Sequence, residues 1–135
     1  MHELKPYKEE IKKYLEKVIQ KYNLTIRCIG DHEIRLTGKK CIIRMTTERY
    51  QPSISVALIS PENKNVSVAL FRVLEQQGLM SRKIFTDEEI ATSEAIKDKT
   101  EKTIYACSIK LERYCQDVLN GSYFDKLQES GKKPE

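Results

Sequence analysis

The side chains best equipped for chemistry in this 135-residue chain are four cysteines, two histidines and a run of three carboxylates. Cys28, Cys41, Cys107 and Cys115 would act as nucleophiles or soft metal ligands only as thiolates, which requires a nearby base or cation. None forms a Cys-x-x-Cys pair, and neither His2 nor His32 lies at finger-like spacing from one, so the pattern of a structural zinc site is missing. All four stand where the local pattern asks for an apolar residue, and they read as reduced core packers. In an oxidising compartment Cys28 and Cys41 would sit on neighbouring strands, but no feature of the sequence argues for that compartment. His32, between Asp31 and Glu33, has the neighbours of an acid–base pair, yet Gly30 just before them marks a hairpin loop and makes it an exposed turn residue. Asp87, Glu88 and Glu89 follow Thr86 at capping-box spacing, where carboxylates serve a helix N-terminus. Phosphate-cradling glycine motifs, a Gly-x-Ser-x-Gly elbow and His-Glu-x-x-His are all missing. The sequence therefore points to a non-enzymatic chain with no catalytic residues, no cofactor and no metal.

The elements that must carry any site follow from hydrophobic periodicity. Leu4, Tyr7, Ile11, Tyr14, Leu15, Val18, Ile19 and Tyr22 recur at 3.6-residue spacing, with Lys8, Glu9, Lys12, Lys13, Glu16 and Lys17 opposite. That predicts an amphipathic helix over 4–22, with Pro6 in its first turn. Four alternating strands come next, with inward sets Leu24, Ile26, Cys28; Ile34, Leu36; Cys41, Ile43, Met45; and Ile54, Val56, Leu58. Gly30-Asp31-His32 reads as a three-residue hairpin loop, Gly38-Lys39 as a two-residue one, and 47–51 as a longer loop before Pro52. Pairing inward with inward sets Cys28 opposite Ile34, Leu36 opposite Cys41, and Met45 opposite Ile54. A short helix over 65–77 uses Val66, Ala69, Leu70, Val73 and Leu74 and ends at Gly78. Leu79, Met80, Ile84 and Phe85 pin the connection after it. The stripe Ile90, Ile96, Thr100, Ile104, Cys107, Leu111, Tyr114, Cys115, Val118 reads literally as one helix of about 34 residues. That length is above the common range, and the polar stretch 97–100 is where it would break. Tyr123, Phe124 and Leu127 pack the segment from Ser122, and 129–135 is expected to be a disordered tail. The fold class is α+β, one domain over 1–128: an N-terminal helix, a four-stranded antiparallel meander, a short helix and a long C-terminal helix packed on one sheet face.

The outward face of that meander is the surface without a structural purpose. The register places Arg27 opposite Arg35, Glu33 opposite Arg44, and Ile42 between Arg35 and Ala57, with Thr25, Thr37, Ser53, Ser55 and Ile59 completing it. Directly opposed arginines destabilise a strand pair unless an anion lies between them. Either a carboxylate of the chain or solvent relieves them, or Arg27, Arg35 and Arg44 form an acceptor row for an acidic partner. Small residues beside the row, Ser53 and Ser55 above all, would let that partner approach closely. The same face would also serve a homodimer, or lie under the long helix.

The formal charge of +4 sits in the first 50 residues, where twelve Lys/Arg face seven Asp/Glu. Interleaved with glutamate, that excess is too weak for a nucleic-acid footprint, and the tyrosines lie on helices rather than on the sheet. No apolar run reaches the roughly 20 residues needed to span a bilayer, and no secretory signal opens the chain, so a cytoplasmic protein is expected.

The order helix, four-strand meander, helices, closing on Leu111-Glu-Arg-Tyr-Cys-Gln-Asp-Val-Leu-Asn-Gly-Ser-Tyr-Phe-Asp-Lys-Leu127, resembles small bacterial α+β proteins of the immunity type, which neutralise a cognate toxin in the cytosol. The resemblance implies a stoichiometric protein-binding module and carries over no site residues. Two alternatives remain open. One is a ligand-binding protein or enzyme with a cavity between sheet and helices, lined by Tyr14, Tyr22 and Tyr114. The other is weak nucleic-acid binding through the lysine-rich first helix.

Overall fold

The computed structural model describes residues 3–47, 53–80 and 83–129. Helices α1 (Lys8–Tyr14) and α2 (Glu16–Tyr22) are followed by strands β1 (Thr25–Ile29), β2 (Glu33–Thr37), β3 (Ile42–Thr47), β4 (Ile54–Ile59) and β5 (Ser67–Ala69). Then come α3 (Leu70–Gln76), α4 (Asp87–Ala95), α5 (Lys99–Tyr114), α6 (Gln116–Leu119) and α7 (Ser122–Glu129). The fold is α+β, and the strands form one antiparallel sheet in the order β1-β2-β3-β4-β5. No described helix is long and apolar enough to cross a membrane.

The expected first helix is present with a kink. Leu15 leaves helical geometry (φ −99°, ψ 13°) and divides it into α1 and α2. The stripe still works as one face, because Ile11, Leu15 and Val18 are buried and Tyr7, Tyr14, Ile19 and Tyr22 pack against the core. Leu4, fully buried, starts the chain's descent, and the amides of Leu4 and Lys5 both donate to the carbonyl of Asp31 (2.8 and 3.1 Å). The N-terminal turn is thereby tied to the β1–β2 hairpin.

The inner face of the sheet is wholly apolar across its middle. Ile26, Leu36, Ile43, Leu58 and Val68 form one row, and Cys28, Ile34, Met45 and Val56 the next. Leu36, Ile43, Leu58, Ile34 and Met45 are fully buried. Each such side chain contributes about 1.5–3 kcal/mol by leaving water. Helix α5 is the lid: Ile104, Cys107 and Leu111 join the same buried cluster, and α5 packs against α1, α2, α3 and β4.

Three expectations are corrected. The sheet has five strands among the described residues, because Val66 to Leu70, assigned to a helix, first runs as β5 with Val68 buried and turns helical only at Leu70. The β2–β3 pairing is shifted by two residues: Leu36 faces Ile43, not Cys41, and the turn is Lys39-Lys40, closed by Gly38 N donating to Cys41 O (3.0 Å). Met45 likewise faces Val56, and Ile54 faces Thr47. A two-residue slip preserves which face each side chain takes, so the inward sets stand while their partners change. Cys28 opposite Ile34 is as expected. The 34-residue helix breaks at Ile96–Asp98, beginning one residue ahead of the expected polar stretch. There the Asp98 side chain caps α5 by accepting from the amides of Thr100 and Glu101 (2.9 and 3.1 Å). A second break at Cys115 separates α6. The loop expected over 47–51 falls, apart from Thr47 at the end of β3, outside the described residues; so do Pro52 and the tail expected over 129–135, apart from Glu129, which ends α7 instead.

Gly38 closes the shifted turn. Its role is close approach rather than an unusual backbone angle: a Cβ there would lie 2.6 Å from Leu24 Cδ2 and 3.3 Å from the carbonyl of Tyr22. Gly38→Ala should overpack this point and lower stability by about 1–3 kcal/mol, read as a lower urea midpoint with an unchanged m-value.

Candidate functional site

The shifted register brings the arginines together more closely than the sequence predicts. Arg27 faces Arg35, Arg35 faces Arg44, Arg44 faces Ala57, and Ala57 faces Ala69, which is one row across all five strands. Glu33, expected opposite Arg44, faces Thr46 instead, and Ile42 lies between Thr37 and Ile59 rather than between Arg35 and Ala57. The outer face therefore has three parallel rows. One is Thr25, Thr37, Ile42, Ile59, Ser67; the middle is Arg27, Arg35, Arg44, Ala57, Ala69; the third is Ile29, Glu33, Thr46, Ser55. Ser53 is exposed just before β4 and in phase with Ser55.

Glu33 is the counterion of this face. Its carboxylate, only 15% exposed, pairs with Nε of Arg35 through one oxygen and with Nε of Arg44 through the other (3.4 Å). One carboxylate thus serves two guanidinium groups. Arg27 is exposed and has no hydrogen bond or ion pair among the described residues. Three positive charges and one negative leave the three strands at +2 on this side. At a strand spacing of roughly 5 Å in water, neighbouring like charges repel by only about 1 kcal/mol, so the fold tolerates the row without neutralising it. The terminal nitrogens of Arg35 and Arg44 make no hydrogen bond among the described residues.

The residues first suspected of chemistry have structural partners. Thr86 and Glu89 form a complete capping box (Thr86 N to Glu89 Oε1, 2.8 Å; Glu89 N to Thr86 Oγ1, 3.1 Å). Arg113 of α5 reaches the same carboxylate (3.0 Å) and the Ile84 carbonyl (2.9 Å), fastening α4 to α5. The Arg113 guanidinium, with the Thr86 amide, holds the Glu89 carboxyl down to about 2. Burial pushes the thiols of Cys41 and Cys115 up to about 12 and that of Cys107 to about 11, which keeps them protonated. All four cysteines are free, and Cys28 alone is not fully buried. His32 is half-buried rather than an exposed turn residue, with Nδ1 3.3 Å from Thr47 Oγ1.

The tyrosines are likewise engaged. Tyr14 donates to Glu101 Oε2 (2.6 Å), Tyr7 to Asp98 Oδ2 (2.7 Å), and Tyr114 to the Ile84 carbonyl (3.3 Å). Hydrogen bonding to Glu101, followed by burial, raises Tyr14 to about 12. A groove of about 480 Å³ lies elsewhere and has no tyrosine among its described lining residues. It lies where β4 runs past the end of β5, between Leu70, Phe71 and Leu74 of α3 and Thr103, Cys107 and Lys110 of α5. Arg44, Thr46, Ser55 and Ala57 continue it onto the outer face. Sequence reasoning missed this groove because it missed β5; the alternation Val66, Val68, Leu70 was the available signal. Among known proteins, the chain matches no family model, no curated protein and no solved structure.

Two outcomes are expected. Because the folded Glu89 carboxyl is depressed, its contribution to stability is full above the usual value of about 4.5 and is lost as pH falls from there toward about 2. Glu89→Gln should therefore be less stable at neutral pH and show a flatter acid limb in pH-dependent thermal melts. With a thiol reagent at mildly alkaline pH, native protein should label at Cys28 first, and Cys41, Cys107 and Cys115 should label only on unfolding, as read by peptide mass mapping.

Proposed function

We propose that this chain is a stoichiometric protein-binding module, of the kind represented by immunity-type inhibitors of toxins, which presents its outer sheet face to an acidic partner surface. The observation that carries this reading is the row Arg27, Arg35, Arg44, in which one carboxylate, Glu33, is shared by Arg35 and Arg44 and leaves Arg27 to the surface. Guanidinium groups recognise carboxylates in fork geometry, and Glu33 fixes two of them from below while their terminal nitrogens bond to no other group of the described chain. Ser53, Ser55, Ala57 and Ala69 keep the neighbouring surface low, so a partner reaches the row without a steric barrier. Complementary charge of this sort speeds association and selects partners more than it adds raw affinity. A homodimer through the same row would set like charges against each other.

The test is the variant with Arg27, Arg35 and Arg44 replaced by serine. Its thermal midpoint should stay within a few degrees of the parent, because exposed charges contribute little to stability. Capture of the partner from the native cell should fall by about tenfold or more, and capture by the parent should weaken steeply with salt. Unchanged capture by the triple variant rules this face out. Retention of RNA or DNA by the parent, lost in the variant, would replace the protein reading with a nucleic-acid one.

A further inference from the structure

The sheet has an unfinished edge. β5 pairs only with Ala57, Leu58 and Ile59, so β4 from Ile54 to Val56 has β3 on one side and, among the described residues, no strand on the other. The ladder alternation fixes what that edge offers. Ser60 N donates to Val66 O (3.0 Å), so residues of β4 in phase with Ser60 direct their amides and carbonyls toward the β5 side. Ile54 is in that phase and lies three residues beyond the last β5 pair. Native edges are ordinarily blunted by a charge, a bulge or a cover; Ile54, Ser55 and Val56 carry no charge, β3 pairs with them in unbroken register, and α3 covers the Val56 end while Ile54 stays part-exposed.

Beside this edge the groove has an apolar floor and a polar outer lip. Val56, Leu74 and Cys107 are buried at its base. At the rim Phe71 is 53% and Met80 59% exposed, two of the largest exposed apolar side chains of the described chain. Its charged lining residues, among those described, are Arg44 and Lys110. Both are basic.

From the open edge, the apolar base and the two cations, we propose that the β4 edge is a strand-addition site for an extended partner segment whose residues alternate apolar and acidic. A strand laid beside Ile54–Val56 takes the ladder bonds that β5 leaves unused. Its alternate side chains point to opposite faces. Those on the inner side enter the groove against Leu74 and Cys107, and those on the outer side meet Arg44, so the first set is apolar and the second acidic. Backbone pairing supplies affinity and the alternation supplies selectivity, as in other edge-addition complexes. A second copy of the chain is the wrong occupant, since its own edge would bring further cations, Arg44 and Lys110 again, and no carboxylate to the groove lining given by the described residues. The proposal deepens the protein-binding reading and rests on it.

The probe is a blocked eight-residue peptide alternating valine and glutamate, labelled for fluorescence anisotropy, with a valine–lysine peptide as control. The expected result is saturable binding of the glutamate peptide with a Kd below about 1 mM, at least tenfold weaker binding of the lysine peptide, and slowed hydrogen exchange at the Ile54 amide. Ile54→Pro removes the edge donor without touching a β3 bond and should reduce affinity about tenfold or more. Met80→Glu, at an exposed rim position, should do the same whether or not the proline variant folds. Lys126→Ser, exposed on α7 and outside the groove lining, should leave peptide affinity unchanged. Absence of binding, equal binding of both peptides, or no protection at Ile54 overturns strand addition. If the peptide fails while the triple arginine variant still loses its partner, the protein-binding reading survives without this site; if the triple variant keeps its partner, that reading has failed independently.

Discussion

The β2–β3 turn at Lys39-Lys40, closed by Gly38 N donating to Cys41 O, sets the sheet register and with it the charge pattern of the outer face. Leu24 and the Tyr22 carbonyl approach Gly38 closely there, where a Cβ would lie 2.6 Å from Leu24 Cδ2. The turn fixes the β2–β3 register, and the register decides that Arg35 meets Arg44. With the turn one step earlier, the same sequence would keep its core yet scatter its arginines. The placing of one turn thus determines the electrostatic pattern on the exposed side.

The layering is one-sided, and this explains the polarity of each face. The inner rows are apolar because α1, α2, α5 and their neighbours share one buried cluster with them. The outer rows answer to no such demand, and they mix threonine, serine, isoleucine, arginine and one glutamate. Ile42 is nevertheless 6% exposed on that side, flanked by Thr37 and Ile59. The outer face therefore combines a closely packed apolar spot with a cationic row, separated by one step of the ladder. Glu33 holds the row in place: without it, two guanidinium groups would lose their shared anchor and lie free on the surface.

How much of this is legible in the sequence depends on the period of each signal. Period-two alternation assigns Ile34, Leu36, Ile43, Met45, Val56 and Leu58 to the inner face correctly, since burial follows parity. Parity is blind to a two-residue slip, so it matches Leu36 to Cys41 where the sheet pairs Leu36 with Ile43; the choice is made by the turn, which alternation does not read. Val66 to Leu70 satisfies both periods, and the helical choice conceals β5 and with it the open edge of β4. Caps are legible because they are local: Thr86 with Glu89 is as expected, and Asp98 caps α5 inside the polar stretch where the long stripe was expected to break. The arginine row is visible as three residues of one parity, but the sharing of Glu33 between two of them requires the true register.

The hydroxyls of Tyr7 and Tyr14 find their acceptors, Asp98 and Glu101, 91 and 87 residues further along the chain. During synthesis, at about 5–20 residues per second, the first helix therefore emerges roughly 4–18 s before the element that receives it. Strand pairing from β1 to β4 is local and needs no such delay. For that interval the amphipathic segment with Ile11, Leu15 and Val18 on one side is held to the rest of the chain chiefly through the bonds of Leu4 and Lys5 to Asp31.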